Sequence, residues 1–402
     1  MGKSSLTDLA IAGGTPAFAD PLHVGRPNIP NRARLMARIT EVLDRRWLTN
    51  DGPCVREFEA RIAQLVGVKH CIAVCNGTTA LGIALHALEL QGEVLLPALT
   101  FIATAHAVQW HGLTPVFCDV DPVTYTLDPT DVEARLTPKT AAILGVHLWG
   151  RPCRVEALTA LARRRRVRLL FDAAHALGVS HQGRMIGTFG DAEVFSFHAT
   201  KFLNTFEGGA IVTDEEAVAA RARRLRNFGF SGYDTVASLG TNGKLHEISA
   251  VMGLTALDEI EAVLAVNRRH YDAYRQGLAA IPGVRLLEFD AAERNNYQYL
   301  VIELDEALTQ VTRDELVEAL WAEGVLARRY FYPGCHRAEP YVSQTAGGPA
   351  ALPVTDAVVR RVITLPTGTA MDPAAIQTVC QLLQTMISRG AELHAWYARR
   401  RR

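Results

Sequence analysis

The sequence lacks the features that mark several large classes of protein. Its 402 residues carry 42 basic and 42 acidic side chains, so the formal net charge is zero. A chain without net charge has no overall field that would attract nucleic acid or an anionic membrane surface. The seven cysteines are odd in number, spread from Cys54 to Cys380, and contain no C-x-x-C pair. This pattern argues against a disulfide framework and a zinc site, so we expect a protein of the reducing cytoplasm.

A secretory signal and a convincing membrane span are also missing. The N-terminus has no positively charged segment followed by an apolar stretch and a small-residue cleavage site. Residues 94–118 contain no Asp, Glu, Lys or Arg and are long enough to cross a bilayer. However, Pro97, His106, Gly112 and Pro115 interrupt this stretch. We therefore predict a buried strand, helix and strand rather than a membrane anchor.

What the sequence does contain predicts a two-domain α/β protein. Apolar residues make up 49% of a chain that is too long for one small core. Strand-like and helix-like segments alternate between residues 93 and 172, which predicts a mostly parallel sheet flanked by helices. After Pro282 the pattern changes to shorter elements of both kinds. We place a large domain at residues 1–255, and a linking helix with a smaller C-terminal α/β domain at residues 256–402.

Two polar residues follow apolar, strand-like runs and suggest chemistry at the edge of the sheet. Asp172 ends the run at 168–172, and Lys201 follows the run at 192–197. The carboxyl ends of strands are where open α/β sheets hold their ligands. A lysine amine and a carboxylate that keeps a pyridinium nitrogen protonated are what pyridoxal phosphate requires. Alone, such residues are more often a solvated lysine and a capping aspartate, so only their combination favours a cofactor site.

A turn between an apolar strand and an apolar helix offers a phosphate site. It contains Gly77, Thr78 and Thr79, and free N–H groups at a helix start can hold a phosphate dianion. The alternative is an ordinary turn with a threonine cap. Phe101 lies just past a strand end and is able to stack on a flat ring, while Ser196 is a second candidate for a phosphate contact. No G-x-G-x-x-G or P-loop occurs, which argues against a nicotinamide dehydrogenase.

Together these segments resemble the DegT/DnrJ/EryC1/StrS sugar aminotransferases, which are fold-type I pyridoxal-phosphate enzymes. The resemblance covers nearly the whole chain. It is carried by residues 76–81, 97–104, 172–175, 195–201, 207–209, 225–229 and 244–248. It implies a mostly parallel central sheet flanked by helices, with a smaller C-terminal domain.

The resemblance also implies roles for individual residues. Lys201 would form the Schiff base, Asp172 would pair with the pyridinium nitrogen, and Phe101 would stack on the ring. His175 stands where many members have glutamine. The expected cofactor contacts are Gly77, Thr78, Thr79, Phe101, Asp172, His175, Ser196, Lys201 and Asn227. The last of these resembles a residue that the neighbouring subunit contributes, which implies a homodimer with shared active sites.

The resemblance is strongest to members that aminate C4 of a nucleotide-linked 4-keto-6-deoxy sugar. It implies pyridoxal 5′-phosphate with pyridoxamine 5′-phosphate as its intermediate form, L-glutamate as amino donor, and a substrate such as dTDP-4-keto-6-deoxyglucose. A related branch that dehydrates sugars has histidine in place of Lys201, so this lysine favours transamination. Candidates for substrate contacts are Arg328, Arg329, Tyr330, Tyr332 and His336.

Three alternatives stay open at this point. The candidate substrate residues between 328 and 336 fit a surface strand and loop equally well. Amination at C3 of a keto sugar, or of a keto-cyclitol, would use the same lysine chemistry in a different pocket. An inactive, ligand-binding homologue is the alternative from outside catalysis, although it would have no need to keep Asp172, Ser196 and Lys201 together.

Overall fold

The structure is a computed structural model that describes residues 3–344 and 350–400. Its strands are β1 (Leu22–His23), β2 (His70–Val74), β3 (Glu93–Pro97), β4 (Thr114–Cys118), β5 (Thr140–Val146), β6 (Arg168–Asp172), β7 (Ser180–His181), β8 (Arg184–Met185), β9 (Ala192–Ser196), β10 (Gly209–Thr213), β11 (Val284–Leu286), β12 (Leu300–Leu304), β13 (Val325–Leu326) and β14 (Val362–Leu365). Its α-helices are α1 (Arg32–Arg45), α2 (Pro53–Val66), α3 (Gly77–Ala87), α4 (Ile102–Trp110), α5 (Pro129–Arg135), α6 (Val155–Arg165), α7 (Glu216–Leu225), α8 (Glu247–Leu257), α9 (Ile260–Leu278), α10 (Glu306–Thr309), α11 (Arg313–Ala322), α12 (Tyr341–Gln344), α13 (Pro353–Arg361), α14 (Pro373–Ser388) and α15 (Gly390–Arg400).

A seven-stranded sheet forms the centre of the larger unit, in the order β2-β10-β9-β6-β5-β3-β4. Only β10 runs antiparallel to its neighbours within this sheet. The predicted mostly parallel sheet is therefore confirmed. The charge-free residues 94–118 form β3, α4 and β4, as predicted. Within the described residues, no helix has the length and apolar character needed to cross a membrane.

Apolar cores cover both faces of this sheet, which explains why its strands are mostly apolar. Side chains alternate between the faces along each strand. On β3, Leu95 packs with Phe58 and Ile143 in one core, while Val94 and Leu96 belong to the core on the other face. Each strand therefore needs apolar residues at consecutive positions rather than at every second one.

A smaller unit is built on the antiparallel sheet β11-β12-β14. Its core combines Tyr274 of α9, Leu316 of α11 and Leu383 of α14. Leu9 and Leu22 belong to the same core, and β1 pairs with β13. The N-terminal residues thus complete the C-terminal unit, a long-range association that the predicted limit at residue 255 does not describe.

The joint between the two units lies next to the carboxyl ends of β6 and β9. A shared apolar cluster joins Val146 and Trp149 of the larger unit to Tyr299 and Val301 of the smaller one. Beside it, the buried carboxylate of Glu303 accepts a hydrogen bond of 2.9 Å from the Tyr125 hydroxyl. The site is therefore built where side chains of the second unit reach the edge of the central sheet.

Candidate active site

A cleft at this edge brings together most of the cofactor residues expected from the sequence. Among the residues that line it are Gly77, Thr78, Phe101, Asp172, His175, Ser196, Lys201, Tyr299, Tyr330 and Phe331. They come from the ends of β6 and β9, from the start of α3 and α4, and from the smaller unit. The parallel arrangement of the strands explains this meeting, because their carboxyl ends share one edge of the sheet.

Asp172 is the buried acid of the cleft. Its Oδ2 accepts a hydrogen bond of 2.8 Å from the Thr104 hydroxyl, and its Oδ1 accepts one of 3.1 Å from the backbone N–H of Ala174. Burial raises the pKa of this carboxyl above its usual value, while these two hydrogen bonds and the nearby Lys201 oppose the rise. The carboxylate is thus fixed in position and has a low-dielectric surrounding, where a cationic partner stabilises it most.

Lys201 lies in the turn that follows β9. The backbone N–H of Lys201 donates to the carbonyl of His198 at 2.8 Å, which holds the turn. Its Nζ donates a hydrogen bond of 3.0 Å to the hydroxyl of Tyr299. Burial lowers the pKa of the amine to about 8, although Asp172 and Tyr330 act in the opposite direction. An amine with this pKa is partly neutral near physiological pH, which a nucleophile and proton carrier requires.

The start of α3 forms a cradle for an anion. Asn76 precedes the helix, and its side chain accepts a hydrogen bond of 2.8 Å from the backbone N–H of Thr79. A Cβ added to Gly77 would lie 2.9 Å from Cβ of Ser196, so only glycine leaves this space open. Thr78 lines the cleft, whereas Thr79 does not and its Oγ1 lies 3.5 Å from Sγ of Cys75. The cradle therefore consists of the helix start, Thr78 and Ser196.

Ring side chains from both units line one part of the cleft. The Nδ1 atom of His175 accepts a hydrogen bond of 3.1 Å from the backbone N–H of Trp149, and burial holds its pKa well below the usual value. The ring of His175 stacks on Phe331 with centroids 5.9 Å apart and planes at 15°. Phe101 is 54% exposed at the mouth, with its ring 5.8 Å from Phe331. Flat ring surfaces of His175, Phe331 and Phe101 thus line the same cleft as Asp172.

Two of the expected arginines lie in a groove that adjoins the cleft. Arg328, Arg329, Trp321 and Tyr332 line this groove, together with Phe101. The Nε of Arg329 pairs with Asp314 at 2.9 Å, and its guanidinium lies 5.1 Å from the centre of the Trp321 ring.

Arg328 differs from Arg329 in its partners. Its guanidinium lies over the ring of Tyr330 at 5.2 Å, and its side chain is exposed. Because an aromatic face leaves the N–H groups at the guanidinium edge free to bind an anion, Arg328 is the better placed of the two to meet a phosphate.

Two further sequence candidates, Asn227 and His336, line neither the cleft of their own chain nor the adjoining groove. His336 is buried, with Nε2 3.1 Å from Asp356, and it lines neither the cleft nor the adjoining groove. Asn227 follows α7 and forms an isolated bridge with Asn242. It also is not among the residues that line the cleft. A role for Asn227 at a cofactor therefore requires the cleft of another subunit.

Thr104 and Tyr299 are site residues that the sequence reasoning missed. Thr100 and Thr104 are four residues apart, and their hydroxyls lie 2.9 Å from each other in the structure. That spacing places both hydroxyls on the same side of the start of α4. It could have indicated a pair of hydroxyls near the site. Tyr299 had no comparable local signal, because it meets Lys201 only through the packing of the two units.

Comparisons with known proteins agree with this geometry. Residues 31–384 match the model of the DegT/DnrJ/EryC1/StrS aminotransferase family. A dTDP-4-amino-4,6-dideoxy-D-glucose transaminase of Escherichia coli is 34% identical over 363 residues, which cover 90% of this chain and 97% of that protein.

Solved structures are similar over almost the full length. The crystal structure of DesI in the presence of its TDP-sugar product superposes with a TM-score of 0.94 at 52% identity, covering 99% of this chain and 100% of DesI. The structure of S. venezuelae DesV in complex with a ketimine intermediate has a TM-score of 0.83 at 31% identity, covering 89% of this chain and 95% of DesV. These structures confirm the predicted fold.

The residues of the cleft fit pyridoxal phosphate as the cofactor. The glycine cradle at α3 suits its phosphate, and the buried carboxylate of Asp172 suits its ring nitrogen. Lys201 supplies an amine whose pKa of about 8 suits attack on an aldehyde. The family match over residues 31–384 identifies the protein as a pyridoxal-phosphate aminotransferase. The chain belongs to the DegT/DnrJ/EryC1/StrS aminotransferase family.

Proposed function

We propose that the protein moves an amino group from L-glutamate to C4 of a nucleotide-linked keto sugar, dTDP-4-keto-6-deoxyglucose. The observation that carries this proposal is the meeting of Lys201 and Asp172 in one cleft, beside an anion cradle. The sugar and its nucleotide are inferred from two relatives. One is named a dTDP-4-amino-4,6-dideoxy-D-glucose transaminase, and the other was solved with its TDP-sugar product.

Different residues of the cleft would bind different parts of the cofactor. Thr78, Ser196 and the N–H groups at the start of α3 would bind the phosphate at the positive end of the helix. The carboxylate of Asp172 would hold a proton on the ring nitrogen. When bound, pyridoxal phosphate withdraws electrons from the carbon that carries the amino group. His175 and Phe101 would cover the ring, because both side chains line the cleft.

Lys201 would carry the proton in both halves of the reaction. Its Nζ would remove a proton from the α-carbon of glutamate, and in the second half would deliver a proton to the sugar carbon that receives the nitrogen. This requires an amine that changes protonation state near neutral pH. Burial lowers the pKa of Lys201 to about 8, which satisfies that requirement.

The groove beside the cleft would hold the nucleotide. Arg328 carries its charge above Tyr330 and would meet the diphosphate. The rings of Trp321 and Tyr332 are 42% and 52% exposed and would pack against the base or the sugar. Arg329, which pairs with Asp314 at 2.9 Å, would hold the Trp321 side of the groove in place.

The homodimer with shared sites is also part of the proposal. Large apolar side chains are exposed on segments near the ends of α1 and α7, namely Met36, Leu43, Trp47, Leu48, Phe228 and Leu239. Such a surface favours a partner, and closed symmetric pairing is the commonest solution. Asn227 lies in this region and outside its own cleft, so it would enter the cleft of the second subunit. The seven cysteines are free, which suits a reducing cytoplasm.

The reaction is tested with purified protein, cofactor, glutamate and a panel of nucleotide keto sugars. We expect a visible band from bound cofactor, bleaching of that band by glutamate, and nitrogen at C4 of the sugar product by NMR. Nitrogen at C3, or amination of a keto-cyclitol alone, would replace the proposed substrate and keep the chemistry. A protein that binds cofactor but is not bleached by any amino acid would refute the aminotransferase reaction itself. Lys201→Ala should abolish turnover.

Shared sites are tested by combining two inactive variants. Lys201→Ala and Asn227→Ala are produced separately and by co-expression. If each site uses Lys201 of one subunit and Asn227 of the other, a mixed dimer contains one intact site. Random pairing should then restore about a quarter of the wild-type activity, because half of the dimers are mixed and each has one intact site of two. No recovery in co-expressed protein, despite mixed dimers shown by mass spectrometry, would contradict the shared site.

A further inference from the structure

The side chain of Tyr299 makes the direct hydrogen bond to the amine of Lys201. The two atoms are 3.0 Å apart, whereas Nζ lies 5.5 Å from the centre of the tyrosine ring. The amine therefore sits beyond the hydroxyl, not over the aromatic face. Lys201 belongs to the larger unit and Tyr299 immediately precedes β12 of the smaller one. The contact thus joins the two halves of the protein at the reacting amine.

We propose that Tyr299 is the positioning residue for Lys201: its hydroxyl holds the ε-amino group in the cleft whenever that group is free to carry a proton. This inference rests on the proposed role of Lys201 as the proton carrier. Among the described residues that line the cleft, Tyr299 is the hydrogen-bond partner of Nζ, while Asp172 receives its hydrogen bonds from Thr104 and Ala174.

The phenol is itself rigidly held. The side chain of Tyr299 is 7% exposed, and its ring lies 4.4 Å from His175 and 6.3 Å from Tyr330. The strand that follows it, β12, is paired on both sides, with β11 and with β14. A hydroxyl on such a support is a fixed point, whereas the lysine has a long side chain with much rotamer freedom. The contact selects one of the many orientations of that side chain.

A phenol suits both protonation states of the amine. An ammonium group only donates hydrogen bonds, and the phenolic oxygen accepts one. A neutral amine is able to accept a hydrogen bond, and the phenol then donates it. Burial raises the pKa of Tyr299, so the hydroxyl keeps its own proton throughout the neutral range. Tyr299 can therefore stay bound to Nζ while the proton of Lys201 comes and goes.

The first test needs neither cofactor nor substrate. In the full-length chain freed of cofactor, the acetylation rate of Lys201 is followed by mass spectrometry as a function of pH. The groups that face the amine are Asp172, Tyr330 and the neutral His175, and all three are kept. Tyr299→Phe removes a hydrogen bond that is stronger to the ammonium form than to the neutral amine, so the pKa of Lys201 should fall. We expect labelling near pH 7 to become roughly tenfold faster, the effect of losing one hydrogen bond to a charged group.

Tyr274→Phe is the matched control. Tyr274 is also buried in the smaller unit, and its hydroxyl donates to the carbonyl of Pro366 at 3.0 Å. Neither residue lines the cleft. It should leave the labelling profile of Lys201 unchanged. If Tyr299→Phe does not fold, Tyr299→Leu is used with the same expectation. An unchanged profile in a folded Tyr299 variant would overturn the proposal.

The second test uses the loaded enzyme and separates positioning from substrate binding. Tyr299→Phe should lower kcat by about tenfold or more, because a displaced proton carrier slows the chemical step. The KM for the sugar nucleotide should change by less than about threefold, and the pH at which the visible cofactor band changes should shift. A large rise in KM with unchanged kcat and an unshifted band would make Tyr299 a sugar contact and overturn its positioning role. Wild-type protein that shows no transamination would instead refute the proposed function, while the labelling result would still stand.

Discussion

The substitution Thr104→Val tests whether the hydrogen bond from Thr104 stabilises the ionised form of Asp172. The hydroxyl of Thr104 donates to Oδ2 of Asp172 at 2.8 Å and lies 2.9 Å from the hydroxyl of Thr100. Thr104 is fully buried, and valine has nearly the same shape. The substitution therefore removes a hydrogen bond without opening a cavity. It leaves the carboxylate with the N–H of Ala174 as its main donor.

The expected magnitude follows from the charge of the acceptor. A hydrogen bond to an ionised group contributes about 1.5–3 kcal/mol, and 1.36 kcal/mol corresponds to about one pKa unit. Burial already raises the pKa of Asp172, and Thr104 is one of the groups that oppose this rise. Thr104→Val should therefore raise that pKa further, because one of the hydrogen bonds that oppose the rise is lost. The charge of Asp172 then stabilises a positive ring nitrogen less well, so cofactor affinity at neutral pH should fall roughly tenfold or more, the effect of losing one hydrogen bond to a charged group.

Cofactor titrations between pH 6 and pH 9, followed by the visible band, measure this effect. Thr104→Ser keeps the hydroxyl and loses only a methyl group, so it should retain affinity close to wild type. In the cofactor-free chain, the sign for stability also follows. When folding raises the pKa of a carboxyl, the free energy of unfolding falls as the pH rises through that raised pKa. The Thr104→Val protein should therefore be destabilised most, relative to wild type, above the pKa of Asp172. Equal affinity of the valine and serine variants at all pH values would refute the reasoning.

Three other predictions concern the cradle, a buried ion pair and the lysine. Gly77→Ala places a Cβ 2.9 Å from Cβ of Ser196 and should weaken cofactor binding at least tenfold by visible titration, because Ser196 or the start of α3 must then shift within the cradle. Glu59→Leu removes the carboxylate that pairs with the buried Arg226. It should lower the free energy of unfolding, measured in urea, by about 3–5 kcal/mol, because it leaves a buried charge without its partner. A loss below about 1 kcal/mol would show that the pair behaves like an exposed one. The pKa of Lys201 is about 8 in the fold against 10.5 ordinarily, so the cofactor-free chain should lose stability as the pH falls from 10.5 towards 8. Lys201→Met should flatten that slope, and an equal slope in both proteins would disprove the assignment.

The sequence predicted those parts of the site that depend on local order along the chain. Asp172 and Lys201 follow strands of one parallel sheet, and the topology alone brings such positions to a common edge. Gly77 lies at a helix start, which the local sequence indicates, although the atom that limits its space belongs to the distant Ser196. The fold class followed from the same alternation of strands and helices. The roles of these residues at the cofactor stay predictions.

The remaining parts depend on side-chain direction and on distant contacts. Thr79 is adjacent to Thr78 but lies about 100° further round the helix, so it faces Cys75 rather than the cleft. His336 belongs to the segment that carries Arg328, yet its ring turns inward to Asp356. Neither direction can be read from a pattern of residue types. Both are set by tertiary packing around the turn.

The position of the smaller unit is itself a determinant of the chemistry. Tyr299 and Tyr330 reach the cleft from this unit, so any rotation between the units would move the partner of Lys201. The joint resists such rotation, because Trp149 and Val301 belong to one continuous apolar core and Glu303 receives the hydroxyl of Tyr125 at its edge. Interfaces that are apolar and well packed move less than polar ones. It follows that side chains of both units hold the amine in place, and that the exposed side chain of Phe101 marks where the cleft opens to solvent.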